Sequence, residues 1–272
     1  MMQSDSVDAR PTVLVFAGAD PSGGAGIAAD ILAIAAQGAH ALPVITALTV
    51  QDNDRVYDIF PVASEIVRHQ AQALIDKITI RAVKIGIPGN LRNAKEIAQL
   101  IRALRLAQPD LPVVLDPVLA SGAGDALALH DPRAVLAPLL SLVSIIVPNL
   151  PEARTLSGAD GSLAQQAGNL RTRGCTNVLI TGGHADGEQV VNHWFSDDGE
   201  QAWHWPRLPG AFHGSGCTLA SAIAARLACG DTMAQALGTA QHYCHHALAT
   251  SFSIASGQRI PSRLIPTLRG TP

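Results

Sequence analysis

Apolar positions along the chain fall into two alternating rhythms. Residues 12–17 (TVLVFA) are a short β-branched run, the pattern of a strand buried on both faces. Residues 25–37 that follow are rich in alanine and stop at Gly38, which predicts a helix with a glycine end. The alternation continues with strands over 43–50, 82–85 and 113–115, and helices over 64–76 and 94–106. A short helix from Pro132, a strand over 144–147, helices from Pro151 and Ser162, and a strand over 177–181 complete it. Strands regularly separated by helices predict an α/β fold whose mainly parallel sheet carries helices on both faces.

The rhythm breaks between Glu188 and Pro206, where QVVNHWF and QAWHW flank Ser196-Asp197-Asp198-Gly199. Asp-Gly between two such runs is a hairpin signal, so an antiparallel hairpin is expected at one edge of the sheet. Helices over 216–227 and 232–250 follow. No repeat, low-complexity linker or charge block divides the chain, which predicts one domain over residues 1–272 behind a polar tail at 1–11.

Composition narrows the function. Of 272 residues, 47% are apolar and 15% charged, enough to bury a large core. A formal charge of −3, from 19 basic and 22 acidic side chains, argues against a nucleic-acid partner. The lysines Lys77, Lys84 and Lys95 are each followed by Ile or Glu, which excludes a P-loop ending in Gly-Lys-Ser/Thr. Cys175, Cys217, Cys229 and Cys244 form no C-x-x-C pair, and the start MMQSDSVDARP lacks a secretory pattern. Both point to reduced thiols in the cytoplasm. The most apolar run, 219–228, is interrupted by Arg226 and is too short to span a bilayer.

Chemistry concentrates in the loops. Residues 18–26 (GADPSGGAG) contain Gly24, Gly26 and Ala29 in a G-x-G-x-x-A spacing. A dinucleotide fingerprint follows its strand directly and has an acid about 20 residues on. Here an insert with Pro21 intervenes and residues 44–46 hold no acid. The glycines then serve either a substrate that approaches the backbone closely or a tight turn alone. Residues 211–218 (AFHGSGCT) lead into an alanine-rich helix, where unpaired N–H groups and the helix dipole make an anion hole without a lysine. Cys217, in the first turn, is either a thiolate of lowered pKa or a small buried hydrophobe; Cys175, Cys229 and Cys244 are expected to pack.

Asp116 ends the run VVLD, at the strand end where open α/β sheets bind ligands. Asn149 is placed to cap the helix that Pro151 opens, with Glu152 in its first turn. Asp116, Glu152 and Asp125 together suit hydrated Mg²⁺, which takes one or two carboxylates plus water and phosphates. His242 and His246 stand at i, i+4 with no third ligand, short of a zinc pattern. Trp194, Trp203 and Trp205 on the hairpin suit core or interface packing.

Seven blocks taken in order resemble the hydroxymethylpyrimidine/phosphomethylpyrimidine kinases of thiamine biosynthesis, members of the ribokinase-like superfamily. They are AGADPSGGAGIAAD from Ala17, VITALTVQD from Val44, VKIG from Val83, VVLDPV from Val113, VPNLPEA from Val147, GGH from Gly182 and HGSGCTLASAIAA from His213. The resemblance implies a three-layer α/β/α fold. It also implies transfer of the ATP γ-phosphate to the hydroxymethyl group of 4-amino-5-hydroxymethyl-2-methylpyrimidine, then to its monophosphate. By the same resemblance Gln51 binds the pyrimidine edge, with Asp30, Gly23, Gly24 and Ile87 around it. Asp116 and Glu152 hold Mg²⁺, with Asn149, Glu152, Thr181 and Gly183 near the nucleotide. Gly214, Ser215 and Gly216 form the anion hole, and Cys217 stands where ribokinases carry a catalytic Asp.

Two positions depart from the family pattern: Thr181 where many relatives have a lysine, and Ile87-Pro88 where many have Met-Leu. Lys84 substitutes for the lost charge only if its strand aims it at the site. A pyridoxal-type vitamin kinase and a catalytically weak pyrimidine-binding protein are the competing readings. The hairpin edge and helical tail suit a homodimer.

Overall fold

The computed structural model describes residues 9–119 and 131–264; most of the polar tail and Asp125 lie outside them. Nine strands join one sheet in the order β3-β2-β1-β4-β5-β6-β7-β8-β9. The strands are β1 (Thr12–Ala19), β2 (His40–Gln51), β3 (Val56–Pro61), β4 (Ala82–Ile85), β5 (Val113–Leu115), β6 (Ile145–Ile146), β7 (Asn177–Ile180), β8 (Gln189–Ser196) and β9 (Gly199–Pro206). From β2 to β7 every pair is parallel. The expected hairpin is there, with β8 antiparallel to both β7 and β9.

Helices α1 (Gly26–Ala36), α7 (Ser215–Ala228) and α8 (Met233–Ala249) cover one face. Helices α2 (Ser64–Ile75), α3 (Leu91–Ala107), α4 (Pro132–Leu140), α5 (Leu150–Ser157) and α6 (Leu163–Arg171) cover the other. Alternation within β1 divides the core between them. Leu14 and Phe16 pack under α2 to α6, while Val13, Val15 and Ala17 pack under α1, α7 and α8. The resulting three layers are the ribokinase-like architecture expected above.

Two local findings differ from the sequence reading. The expectation of antiparallel strands at one edge is incomplete, because β3 runs antiparallel to β2 at the other. Only Ile59 of β3 is buried, so the strand is held by backbone pairing and leaves almost no periodic signature. Cys229, expected to pack, is exposed at the end of α7.

The fold sets the place of the site. Chain order reverses at β1, whose neighbours are β2 on one side and β4 on the other, and such a switch point opens a crevice at the strand ends. A register shift between Ala17 and Gly18 bulges the pairing of β1 with β2 at that end. Bulges of this kind re-aim side chains beside functional sites, and here Thr46 turns to donate to the Ile87 carbonyl.

Candidate active site

The crevice is lined by the carboxyl ends of β1, β2, β4, β5, β6 and β7 together with the start of α7. Gln51 and Ile87 stand on one wall, where Ile87 packs with Val56 and Val118 on Ala47 and Ile59. Asp116, Asn149, Glu152, Thr181 and Gly183 line the opposite part, and Gly214, Ser215, Gly216 and Cys217 close it from the side. A second cavity adjoins the first, shares Gly183, Phe212 and Ser215 with it, and is walled by Val190, Trp205, Leu208 and Leu248. Trp205, expected only to pack, stacks on His245 at this wall with ring centres 5.1 Å apart.

Three residues of the sequence reading do not reach the cleft. Gly23 and Gly24 lie outside its lining, and Asp30 is fully buried beneath it. Asp30 instead accepts from Lys84 Nζ at 2.9 and 3.0 Å and from Ser221 Oγ at 2.6 Å. Burial pulls the Lys84 pKa down, but Asp30, with Cys217 and Asp116 behind it, more than offsets this and holds it above its ordinary value. Lys84 is therefore a charged floor of the crevice, committed to Asp30.

The glycines of the first loop answer to contacts within the protein. A Cβ on Gly24 would sit 2.2 Å from the His213 ring, and one on Gly26, at φ +55°, would sit 2.3 Å from the Gly18 carbonyl. Only glycine allows that approach. Asp20 fastens the same loop by accepting from the Ala25 amide at 2.7 Å and from Ser22 Oγ at 2.9 Å. His213 Nε2 lies 2.8 Å from the same oxygen, Asp20 Oδ2. Burial raises the Asp20 pKa, but His213, Ser22 and the Ala25 amide outweigh it and keep the group below the ordinary value. Neither Asp20 nor His213 carries an assigned role in the sequence pattern, although both lie within the motifs AGADPSGGAGIAAD and HGSGCTLASAIAA.

Helices α1 and α7 both start at the crevice, and neither has a side-chain cap. Gly214 supplies the left-handed turn into α7 at φ +75°. Uncapped first-turn amides and the dipole favour an anion there. Opposite stand the acids. Glu152 closes a capping box with Asn149, accepting from the Asn149 amide at 2.9 Å and from the Leu119 amide at 3.3 Å. Burial first, then repulsion from Asp116, pushes its pKa up to about 8. Burial also pushes Asp116 up to about 6, with Asp30 adding and Lys84 opposing.

The expectation of a lowered Cys217 pKa fails. Burial, reinforced by Asp116 and Asp30, pushes the thiol up to about 12, beyond what Lys84 and the Gly26 amide recover. The helix dipole is outweighed because burial disfavours the thiolate, with Asp116 and Asp30 adding to it. A thiol raised this far keeps its proton at neutral pH, and its interaction with Asp116 lowers that carboxyl's pKa.

One oxygen of Asp116, Oδ2, is buried with no hydrogen-bond partner. An orphaned carboxylate oxygen beside a second acid of raised pKa fits a divalent cation, which would stabilise the charged form of both. Among the described residues no group of three or more His, Cys, Asp or Glu is placed to hold a metal, so the fit is to an ion that keeps most of its water.

Known proteins match this arrangement along almost its whole length. The family described as phosphomethylpyrimidine kinase matches residues 20–261. The chain belongs to this family. A member in Streptomyces coelicolor, named hydroxymethylpyrimidine/phosphomethylpyrimidine kinase, is 36% identical over 254 residues, 91% of this chain and 92% of that one. The thiamine biosynthesis multifunctional protein ThiED of Corynebacterium efficiens is 33% identical over 92% of this chain, which spans only 34% of that protein. Among solved structures, the phosphomethylpyrimidine kinase of Clostridium difficile superposes with a TM-score of 0.74 at 31% identity, covering 86% of this chain and 97% of that one. An ADP complex of Bacillus subtilis pyridoxal kinase superposes with a TM-score of 0.83 at 26% identity, covering 94% and 98%. Within the phosphomethylpyrimidine kinase family, then, this member carries Thr181 and Ile87 in its crevice. No helix among the described residues is long and apolar enough to cross a membrane.

Asp116 and Glu152 bind protons more tightly in the folded chain than in the unfolded one. Their contribution to stability is therefore greatest at low pH and falls as pH rises toward about 6 and 8. Asp116→Asn copies the neutral carboxyl. Without added cation it should match the native chain near pH 4 and exceed it at pH 8 by about 3 kcal/mol, one pKa unit being worth about 1.4 kcal/mol. Chemical denaturation of both chains at the two pH values measures this; an equal difference at both would contradict it.

Proposed function

We propose that the chain transfers the γ-phosphoryl group of ATP to the hydroxymethyl group of 4-amino-5-hydroxymethyl-2-methylpyrimidine, and then to the resulting monophosphate. The observation that carries the reading is the family match together with two cavities that meet at the uncapped start of α7. The pyrimidine fits the first cavity, where Gln51 offers an amide that both donates and accepts and Ile87 offers an apolar wall. The nucleoside fits the second, against Trp205. The phosphates then lie across the junction, at the amides of Ser215, Gly216 and Cys217.

Phosphoryl transfer passes through a loose transition state, so positioned charge does most of the work. The α7 amides stabilise the equatorial oxygens, and Asn149, Thr181 and Gly183 line the approach of the nucleotide. Asp116 and Glu152 would hold Mg²⁺, which when bound neutralises phosphate charge. A strong base is not required. Cys217, as a neutral thiol, orients the substrate hydroxyl, whose proton passes late to an oxygen of the transferred phosphoryl group. The thiol at about 12 is poorly matched to general-base work near neutral pH.

A second reading, a pyridoxal-type kinase, is favoured by the superposition on the Bacillus subtilis enzyme. Four free cysteines suit a reducing compartment, and we assign the enzyme to the cytoplasm. We also assign it to a homodimer, at a different edge from the one expected. The hairpin tryptophans are partly buried, whereas Leu48, Val50, Tyr57 and Phe60 of β2 and β3 are exposed together, an apolar patch on an open strand edge. Light scattering at working concentration is expected to give twice the chain mass; the mass of one chain would rule the dimer out.

ATP consumption with the pyrimidine alcohol and with pyridoxal tests the activity. Turnover on the first is expected. Turnover on pyridoxal alone would establish the second reading, and turnover on neither would leave a binding protein. Cys217→Ala should fold normally and lose kcat about tenfold or more, the scale of a misplaced reacting group. A variant with native kcat would remove Cys217 from the mechanism.

A further inference from the structure

Beyond α8 the chain turns back and runs along the loops that carry the crevice. Phe252 and Ile260 pair across the turn, and the arm beyond it meets three loops in succession. The Asn53 side chain, two residues past Gln51, donates to the carbonyls of Ser256 and Gln258 at 3.0 Å each. Arg259 gives its amide to the Ala211 carbonyl at 2.8 Å and accepts from the His213 amide at 2.9 Å. Arg263 then enters between the two glycine loops.

Arg263 is only 2% exposed. Its Nε donates to Thr218 Oγ1 at 2.9 Å, in the first turn of α7. Its Nη2 donates to the Gly24 carbonyl at 2.5 Å and to the Gly214 carbonyl at 3.3 Å. Its own carbonyl accepts from Tyr243 Oη at 2.9 Å, and the Ser262 amide donates to the Ala247 carbonyl at 2.9 Å, both on α8. The guanidinium is thus delivered from a fixed support.

The arrangement is costly as a mere filler of space. The Arg263 contacts described are to carbonyls and a hydroxyl, and Nη1 is buried with no partner. A buried charge whose direct hydrogen-bond partners are all dipoles is usually less stable than an apolar side chain of equal volume. What the guanidinium does that an apolar chain cannot is reconcile two carbonyls from different loops. A Cβ on Gly214 would lie 2.1 Å from the Gly24 carbonyl oxygen and 2.8 Å from Arg263 Nη2. Without a cation between them, the two carbonyl dipoles would push those loops apart. Gly214 is the cap of α7, so any shift there rotates the amides of residues 215–217.

We infer that Arg263 is a positioning residue for phosphoryl transfer, locking the loop of Gly24 to the loop of Gly214 so that the α7 amides converge on the transferred group. The inference rests on the kinase reading above. Steady-state kinetics of Arg263→Met, on folded protein confirmed by circular dichroism, test it. The kcat should fall about tenfold or more while KM for the pyrimidine alcohol stays within about threefold, because Gln51 and Ile87 belong to neither tied loop. Arg263→Lys, which reaches one carbonyl at most, should fall between the two. Ethylguanidinium added to Arg263→Ala, whose short side chain leaves space for it, should restore part of kcat, which a purely structural loss would not allow. If Arg263→Met does not fold, Thr218→Val removes the Nε acceptor, and with it the Thr218 hydroxyl's own bond to the Gly214 carbonyl, at constant volume and should lower kcat about threefold at unchanged KM. Native kcat in whichever variant folds, or no rescue by ethylguanidinium in folded Arg263→Ala, overturns the inference alone. A native chain without turnover on the pyrimidine alcohol overturns the kinase reading and this inference with it.

Discussion

Lys84 against Asp30 is the contact on which the site is built. Three elements meet at it: Lys84 on β4, Asp30 on α1 and, through its hydroxyl, Ser221 on α7. Both charges are wholly buried. Removing either partner would leave an uncompensated charge in the core, at about 3–5 kcal/mol. The pair therefore fixes how α1 and α7 sit on the sheet, and with them the two uncapped helix starts that face the crevice. It also sets the local field, since Lys84 is the positive charge nearest to Asp116 and Cys217 in effect. That field keeps Asp116 from rising further but does not make Cys217 a thiolate.

Above this floor, the walls are held by ties that run between loops distant in sequence. Asp20 to His213 joins the first glycine loop to the second, and Arg263 joins them again from below. The start of α7 has no side-chain cap and lines the same crevice as Asp116 and Glu152. Gly216 faces Asp116 closely enough that a Cβ would lie 3.5 Å from its carboxylate. An anion and a cation are thereby invited to neighbouring positions, which is the arrangement a magnesium nucleotide needs.

Much of this was legible in the sequence, for identifiable reasons. Strands buried on both faces read as apolar runs, and the helices between them carried cap and stop signals, so the sheet and its layers followed. Asp116, Glu152 and the residues from Gly214 to Cys217 could be placed because they sit at strand ends and a helix start. Asp30 was misplaced because a resemblance reports which residues recur, while burial and pairing decide which way they face. The sequence left Cys217 open between a thiolate and a buried thiol because a helix start is a local feature, whereas the burial that decides it, with Asp116 and Asp30 adding, comes from the packing of distant elements. Arg263 had no local signal at all, its role arising only where the chain end folds back. β3 was missed because an edge strand with one buried residue needs no pattern.

A chain with three lysines and a charge of −3 handles polyphosphate, on this account, through backbone amides and a metal ion held by two acids. The most direct measurement is a crystal structure with a non-hydrolysable ATP analogue, Mg²⁺ and the pyrimidine alcohol bound together. The account predicts the terminal phosphate on the amides of Ser215, Gly216 and Cys217, with the metal on the Asp116 and Glu152 side. Phosphates bound elsewhere, with those amides facing only water, would contradict it.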